Sequence, residues 1–160
     1  MPNPHDVDSE IKLVVVEESL AIDLFHLIDS DREHLNRWLP WPPLNRTIED
    51  ITDFVKKSIS DYREGISIVF AIQYLGDIVG VISYNKIDKS LKKVELGYWL
   101  TSSAQGQGIV TRASRYLIGY AFDCLEAERV QIATAAENSA SRKVCERLGC
   151  KLEGVISNCE

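Results

Sequence analysis

The chain has 160 residues, 45% hydrophobic and 26% charged, which fits one globular domain and excludes disordered, collagen-like and small disulfide-stapled classes. Its 18 Lys and Arg against 24 Asp and Glu leave a net charge of −6, which argues against a nucleic-acid binder and suits a cationic partner such as an amine. No apolar run reaches the ~20 residues that span a bilayer, the start carries no secretory segment, and Cys124, Cys145, Cys150 and Cys159 form no Cys-x-x-Cys pair, so the expectation is a cytoplasmic protein with unbridged thiols, no membrane and no metal.

Residues 1–10 read as a loose tail and 11–160 as a single domain. Ile11 to Val16 is an apolar, β-rich run and so a strand. Leu20, Leu24, Leu27 and Ile28 then recur at helical spacing, with Ser19 as the expected cap. A second short helix is expected from Asp31 to Trp38, stopped near Pro40. Trp38-Leu39-Pro40-Trp41-Pro42-Pro43 is a stiff apolar loop that either serves packing, as a core plug or a helix–helix elbow, or lines an acceptor pocket or a homodimer contact. Thr47 with Asp50 forms a capping-box pattern and opens a helix to Tyr62. Its buried face is read as Ile48, Ile51, Val55, Ile59 and Tyr62, and Gly65 ends it.

Ile66, Ile68, Phe70, Ile72 and Tyr74 alternate with period two, which predicts a strand. Gly76-Asp77 is a turn, Ile78 to Ile87 the next strand, Asp88 to Lys93 another turn and Val94 to Leu100 the third strand. Short links make these antiparallel neighbours. Val94 to Leu100 then runs into Gln105-Gly106-Gln107-Gly108. A helix follows with Val110, Ala113, Leu117, Ala121 and Leu125 on one face, then a strand from Arg129 to Ala135. This βαβ crossover makes the two strands parallel and the unit right-handed. Asn138 is placed to cap a short helix, Ser139 to Leu148, closed by Gly149, and Cys150 to Ile156 is the last strand. The architecture expected is α/β (α+β): a mixed, mostly antiparallel central sheet with one parallel crossover and flanking helices.

The glycine loop carries the chemistry. A helix N-terminus has unpaired N–H groups and a partial positive charge, and glycines ahead of it let an anion approach the backbone. Gln105 to Val110 is therefore a candidate diphosphate cradle, with Thr111 able to add a hydroxyl; a tight turn alone would also account for the glycines. No Gly-Lys-Ser/Thr occurs, which removes the P-loop. Thr111 stands where a dinucleotide fingerprint needs its third glycine, and that fingerprint belongs to the opening strand of a parallel sheet.

Gln105-Gly106-Gln107-Gly108-Ile109-Val110, between the Gly97-Tyr98-Trp99-Leu100 strand and an amphipathic helix, resembles the acyl-CoA signature of the GNAT N-acetyltransferases, with Val110 in place of the usual small last residue. Glu137-Asn138-Ser139-Ala140-Ser141, followed by Cys145-Glu146-Arg147-Leu148-Gly149, is similar to a second family segment, with Cys150 where Phe is usual. Trp38-Leu39-Pro40-Trp41 and Gly97-Tyr98-Trp99-Leu100 resemble the RimJ/RimL group of ribosomal-protein N-terminal acetyltransferases. The resemblance covers residues 11–160 and implies the GNAT fold, acetyl-CoA as donor and a primary amine as acceptor, with direct attack of the amine on the thioester.

By that resemblance Trp99, Leu100, Gln105 to Thr111, Asn138 and Ser141 meet the cofactor, and a backbone N–H near Leu100 faces the thioester oxygen. Ser141 is implied as the acid for the leaving thiolate. Trp38, Trp41 and Asn85 fall on the acceptor side. Two carboxylates stand as candidate bases. Glu95 shares a strand face with Gly97 and Trp99, and Glu160 follows the last strand. The family continues into one more strand, which is expected to be missing here or supplied by a partner.

An α-amino group with pKa ~7.8 is neutral about once in seven at pH 7, whereas a lysine at ~10.4 is neutral about once in 2,500. An α-amine is thus easier by roughly 3.5 kcal/mol. A protein N-terminus is the first expectation for the acceptor. A small-molecule amine (polyamine, amino acid or aminoglycoside) is the second, and a CoA-binding interaction module without turnover is the third.

Overall fold

The computed structural model describes residues 5–33 and 47–132. In chain order these form β1 (His5–Asp6), β2 (Ile11–Val15), a 3₁₀ turn (Glu18–Leu20), α1 (Ala21–Ser30), α2 (Ile48–Arg63), β3 (Ile68–Tyr74), β4 (Asp77–Asp88), β5 (Lys93–Leu100), a second 3₁₀ turn (Ser102–Ala104), α3 (Ile109–Asp123) and β6 (Arg129–Ile132). The six strands make one sheet in sequence order. Neighbours are antiparallel except β5 and β6, which pair in parallel across the α3 crossover.

Each face of the sheet carries its own core. On one side Leu13, Phe70, Ile82, Tyr84, Val94 and Leu96 pack under α3, whose Ala113, Leu117 and Ala121 are fully buried. On the other side Val69, Ala71 and Val81 pack under α1 and α2, through Leu24, Ile28, Ile51 and Val55. A sheet covered on both sides explains why β3 reads as a nearly continuous apolar run. The β3–β4 hairpin closes through Leu75 and Gly76, both at positive φ (52° and 92°), the twist that a two-residue hairpin link requires. The Thr47–Asp50 capping box is present in both directions, with hydrogen bonds of 3.2 and 3.3 Å, and α2 starts where it dictates.

Several sequence expectations need correction. Residues 5–10 are not loose: β1 pairs with β2, and His5 packs edge-on against Phe70, Tyr116 and Tyr120, its Nδ1 2.8 Å from the Tyr116 hydroxyl. Ser19 does not cap α1, because a 3₁₀ turn fills residues 18–20 and makes Leu20 the N-cap residue. Ile66 is half exposed and precedes β3, which begins at Ile68. Tyr62 is exposed, and Ser58 takes the buried position on α2 as its hydroxyl donates to the Phe54 carbonyl. The Trp38–Pro43 loop, most of the expected Asp31–Trp38 helix, and everything after Ile132 lie outside the described residues.

Candidate active site

The end of β5 is shaped by its contact with β4. Gly80 pairs with Leu100. The next pair outward is hydrogen-bonded, since the Thr101 N–H donates to the Val79 carbonyl at 3.0 Å. Antiparallel pairs alternate, so Gly80–Leu100 is the narrow, non-bonded kind. The Leu100 N–H and carbonyl therefore point away from β4, toward the β6 side. Gly80 permits this close approach, because a Cβ there would collide with the Trp99 carbonyl oxygen.

Further along the same strands, β4 bulges between Tyr84 and Lys86. The bulged Asn85 lies over Gly97, where a Cβ would meet its amide. Asn85 accepts a 2.5 Å hydrogen bond from the Ser83 hydroxyl. Period two puts Glu95, Gly97 and Trp99 on the α1/α2 face, with Trp99 against that core. Glu95 is half-buried beside Lys86 and Gln131 in the ladder.

Past Leu100 the chain turns through Ser102–Ala104 into the glycine loop. Gly106 and Gly108 have φ of +82° and +71°, a conformation that glycine adopts without strain, and open space lies where their Cβ atoms would stand. Gly108 is the N-cap residue of α3 and supplies no side-chain cap. The N–H groups of residues 106–111 have no acceptor among the described residues. A helix start with this many unmatched donors is suited to an anion.

Three side chains brace the loop. The Gln105 amide donates to the Leu100 carbonyl at 3.2 Å, tying loop to strand. Asp31, at the C-terminus of α1, accepts from the Ser102 N–H and the Ser102 hydroxyl, each at 2.8 Å. A carboxylate at a helix C-terminus is locally unfavourable, and here it caps the next 3₁₀ turn from outside. Arg112 donates to the Gln107 carbonyl (3.1 Å), the Gly108 carbonyl (3.4 Å), Asp8 (2.9 Å) and Glu10 (2.8 Å). The Glu10 N–H above all, with the Ile11 N–H and Arg112, holds the Asp8 carboxyl below the ordinary value.

The structure thus brings together Leu100 and the Gln105–Thr111 loop, and places Asn85, Glu95 and Trp99 on one face of β4 and β5. Trp38, Trp41, Asn138, Ser141 and Glu160 lie outside the described residues. The side chains of Ile109 and Val110 sit in the core, so only their N–H groups are available to a ligand. The Thr111 hydroxyl is buried without a partner among the described residues, as is that of Ser114 one turn on. Sequence reasoning missed Asp31, Arg112 and Gly80. Only Gly80 carried a local signal, an isolated glycine inside a strand pattern.

A mostly antiparallel sheet with one parallel crossover, whose helix begins in a donor-lined glycine loop, defines an acyltransferase that uses an acyl-CoA. Residues 11–151 match the acetyltransferase (GNAT) domain family. The chain is 32% identical over 154 residues to the ribosomal-protein-serine acetyltransferase of Escherichia coli (strain K12), covering 96% of this chain and 86% of that one. The solved microcin C7 self immunity acetyltransferase MccE, in complex with acetyl-CoA and AMP, superposes with a TM-score of 0.92 at 32% identity, over 96% of this chain and 86% of that one. A RimL ribosomal L7/L12 alpha-N-protein acetyltransferase in complex with coenzyme A also reaches 0.92, at 28% identity, over 95% of this chain and 86% of that one.

The chain belongs to the GNAT acetyltransferase family, and its donor is acetyl-CoA. The loop fits that donor: an acyl-CoA presents a diphosphate, and residues 106–111 present unmatched N–H groups beside two glycines with open space in front of them.

Proposed function

We propose that this enzyme acetylates the α-amine of a protein N-terminus, in the manner of the ribosomal-protein acetyltransferases it resembles. The observation that carries the proposal is the 32% identity over nearly the whole chain with an enzyme of that description. The chemistry agrees, since an α-amine needs far less help than a lysine to reach its neutral form. No helix among the described residues is long and apolar enough to cross a membrane, and we place the enzyme in the cytoplasm, where ribosomal proteins are found.

Acetyl-CoA supplies the acetyl group as a thioester, activated toward a neutral amine. The N–H groups of residues 106–111 hold its diphosphate. The Leu100 N–H, turned away from β4, donates to the carbonyl oxygen as negative charge develops there. Glu95 lies five residues from Leu100, roughly 16 Å along an extended strand. It therefore moves the amine proton through ordered water and does not touch the amine. Asn85, over Gly97, lines the acceptor side with Trp38 and Trp41. Asn138 holds the pantetheine arm, Ser141 donates the proton to the leaving thiolate, and Glu160 is the second candidate base.

A second reading is a small-molecule amine acceptor, favoured by the likeness to the microcin immunity acetyltransferase. Thiol release measured over an amine panel separates the two. A peptide with an N-terminal serine should outpace spermidine, free amino acids and an aminoglycoside in kcat/KM. Preference for any small amine overturns the first reading, and no thiol release with any amine favours a binding module.

A further inference from the structure

Arg112 lies one turn into α3, with its guanidinium engaged by the Gln107 and Gly108 carbonyls, Asp8 and Glu10. In a trans peptide the carbonyl of one residue and the N–H of the next point in opposite directions. Holding the Gln107 and Gly108 carbonyls on the Arg112 side therefore turns the Gly108 and Ile109 N–H groups to the other side. Neither finds an acceptor among the described residues.

Gly108 has no side chain to fix its own orientation, and glycine is the residue most free to rotate. The Gly108 carbonyl is also held by the helix's own first backbone bond, from the Arg112 N–H at 3.0 Å. The plane that depends on the guanidinium is therefore the one between Gln107 and Gly108, whose carbonyl has no other donor among the described residues. Arg112 is itself fixed from outside the loop, because Asp8 and Glu10 come from the N-terminal segment, more than 100 positions away in sequence.

We infer that Arg112 is a positioning residue for acetyl-CoA. Its guanidinium sets the Gln107–Gly108 peptide plane of the diphosphate loop without touching the diphosphate, and Asp8 and Glu10 set Arg112. This rests on the loop being the diphosphate cradle. The N-terminal segment is then part of the cofactor site, although none of its residues meets the cofactor.

Charge alone makes the opposite prediction, which gives the test its sign. Asp8 and Glu10 are negative groups close to a site for an anion, and removing them should strengthen binding by Coulomb's law. The clamp requires that their removal weaken it.

The experiment is calorimetric titration with acetyl-CoA of the wild-type chain, Arg112→Met, Arg112→Lys, the Asp8→Asn/Glu10→Gln double variant and Gly108→Asn. Steady-state kinetics with the best acceptor peptide run in parallel. Both Arg112 variants should weaken Kd about tenfold and the double variant about threefold, on the scale of a lost charge-assisted hydrogen bond at a partly exposed site. KM for acetyl-CoA should rise with Kd while kcat at saturation stays within about twofold.

Tighter binding by the double variant would show that Arg112 is a phosphate ligand held back by the carboxylates. Unchanged Kd in Arg112→Met, or an equal fall in kcat, would overturn the positioning role. If the double variant does not fold, Arg112→Lys decides, because it keeps the charge and loses the fork. Gly108→Asn separates the two levels: asparagine tolerates the positive φ but fills the approach. Wild-type affinity in Gly108→Asn, or no binding by the wild-type chain, would defeat the cradle itself rather than the clamp.

Discussion

Gly80→Ala tests the role assigned to the Leu100 N–H. Gly80 stands opposite Leu100 in a narrow pair, and a Cβ there would collide with the Trp99 carbonyl oxygen while lying 3.0 Å from Leu100 Cα and 3.1 Å from Leu100 Cδ1. Two of these three neighbours are backbone, so no rotamer change relieves the contact and the strands must part. Overpacking a buried position costs about 1–3 kcal/mol. The lower chain entropy of unfolded alanine returns about 0.4–1 kcal/mol. A net loss of about 1–2 kcal/mol should appear in urea unfolding. Parting the strands also moves the Leu100 N–H. Removing an oxyanion donor outright costs about 10²–10³ in kcat, so displacing one should cost about 10- to 100-fold. Gly97→Ala is the control. The three atoms nearest its Cβ all belong to the Asn85 side chain, which can move at the cost of its bond from Ser83. It should lose under about 1 kcal/mol and under about threefold in kcat at saturating acceptor, with any effect of moving Asn85 falling on the acceptor KM. Steady-state thiol release on both variants decides. Lost stability with intact kcat in Gly80→Ala, or equal losses in the two variants, would refute the assignment.

Two further outcomes follow from the bracing contacts and the core. Asp31→Ala removes both acceptors of Ser102 and should weaken acetyl-CoA binding about fivefold by calorimetry, with Asp31→Asn intermediate; an unchanged Kd in the alanine variant would sever α1 from the loop. Tyr84→Phe removes a buried hydroxyl that donates to the Leu117 carbonyl at 2.6 Å, and should cost about 1–1.5 kcal/mol in urea unfolding near neutral pH. Burial above all pushes the Tyr84 phenol far above its ordinary 10.0. A raised value in the folded state means that the contribution is whole below pH 10.0 and is lost as pH rises past it. The stability gap between wild type and Tyr84→Phe should therefore narrow above that pH, and a constant gap would count against the buried hydrogen bond.

What the sequence disclosed and what it hid divide along sequence separation. Thr47 and Asp50 are three residues apart, and their capping box was legible because both partners sit within one turn. The β3–β4–β5 meander was legible because short links force neighbours together, and the crossover because a helix joins its two strands; the pairing of β2 with β3 across two helices was not. The link from Asp31 to Ser102 spans 71 positions, and those from Arg112 to Asp8 and Glu10 span 104 and 102. No local pattern announces such pairs. The tail expectation failed for the same reason: residues 5–10 are polar, as loose tails are, but their polar groups meet Arg112 and Tyr116. Thr111 was proposed to reach the ligand by its hydroxyl. Helical spacing could equally have placed it inward, and its hydroxyl is buried in α3.

The contacts that brace the loop add little to stability. Arg112, Asp8 and Glu10 are each about a third exposed or more, and exposed ion pairs contribute about 0–1 kcal/mol. Their leverage lies in position. A displacement of about 1 Å at a reacting group can cost about 10²-fold in rate, far more than the same contact yields in folding energy. Gln105 ties the loop to Leu100, Asp31 ties it to α1, and Arg112 ties it to the N-terminal segment. The loop that presents the N–H groups is thus held from three directions, while those groups stay open. Melting temperature is then a poor readout for this site. Variants of Asp31 and Arg112 should melt close to wild type and bind acetyl-CoA several-fold worse. A variant whose affinity falls only in proportion to its stability would show that its contact serves the fold and not the site.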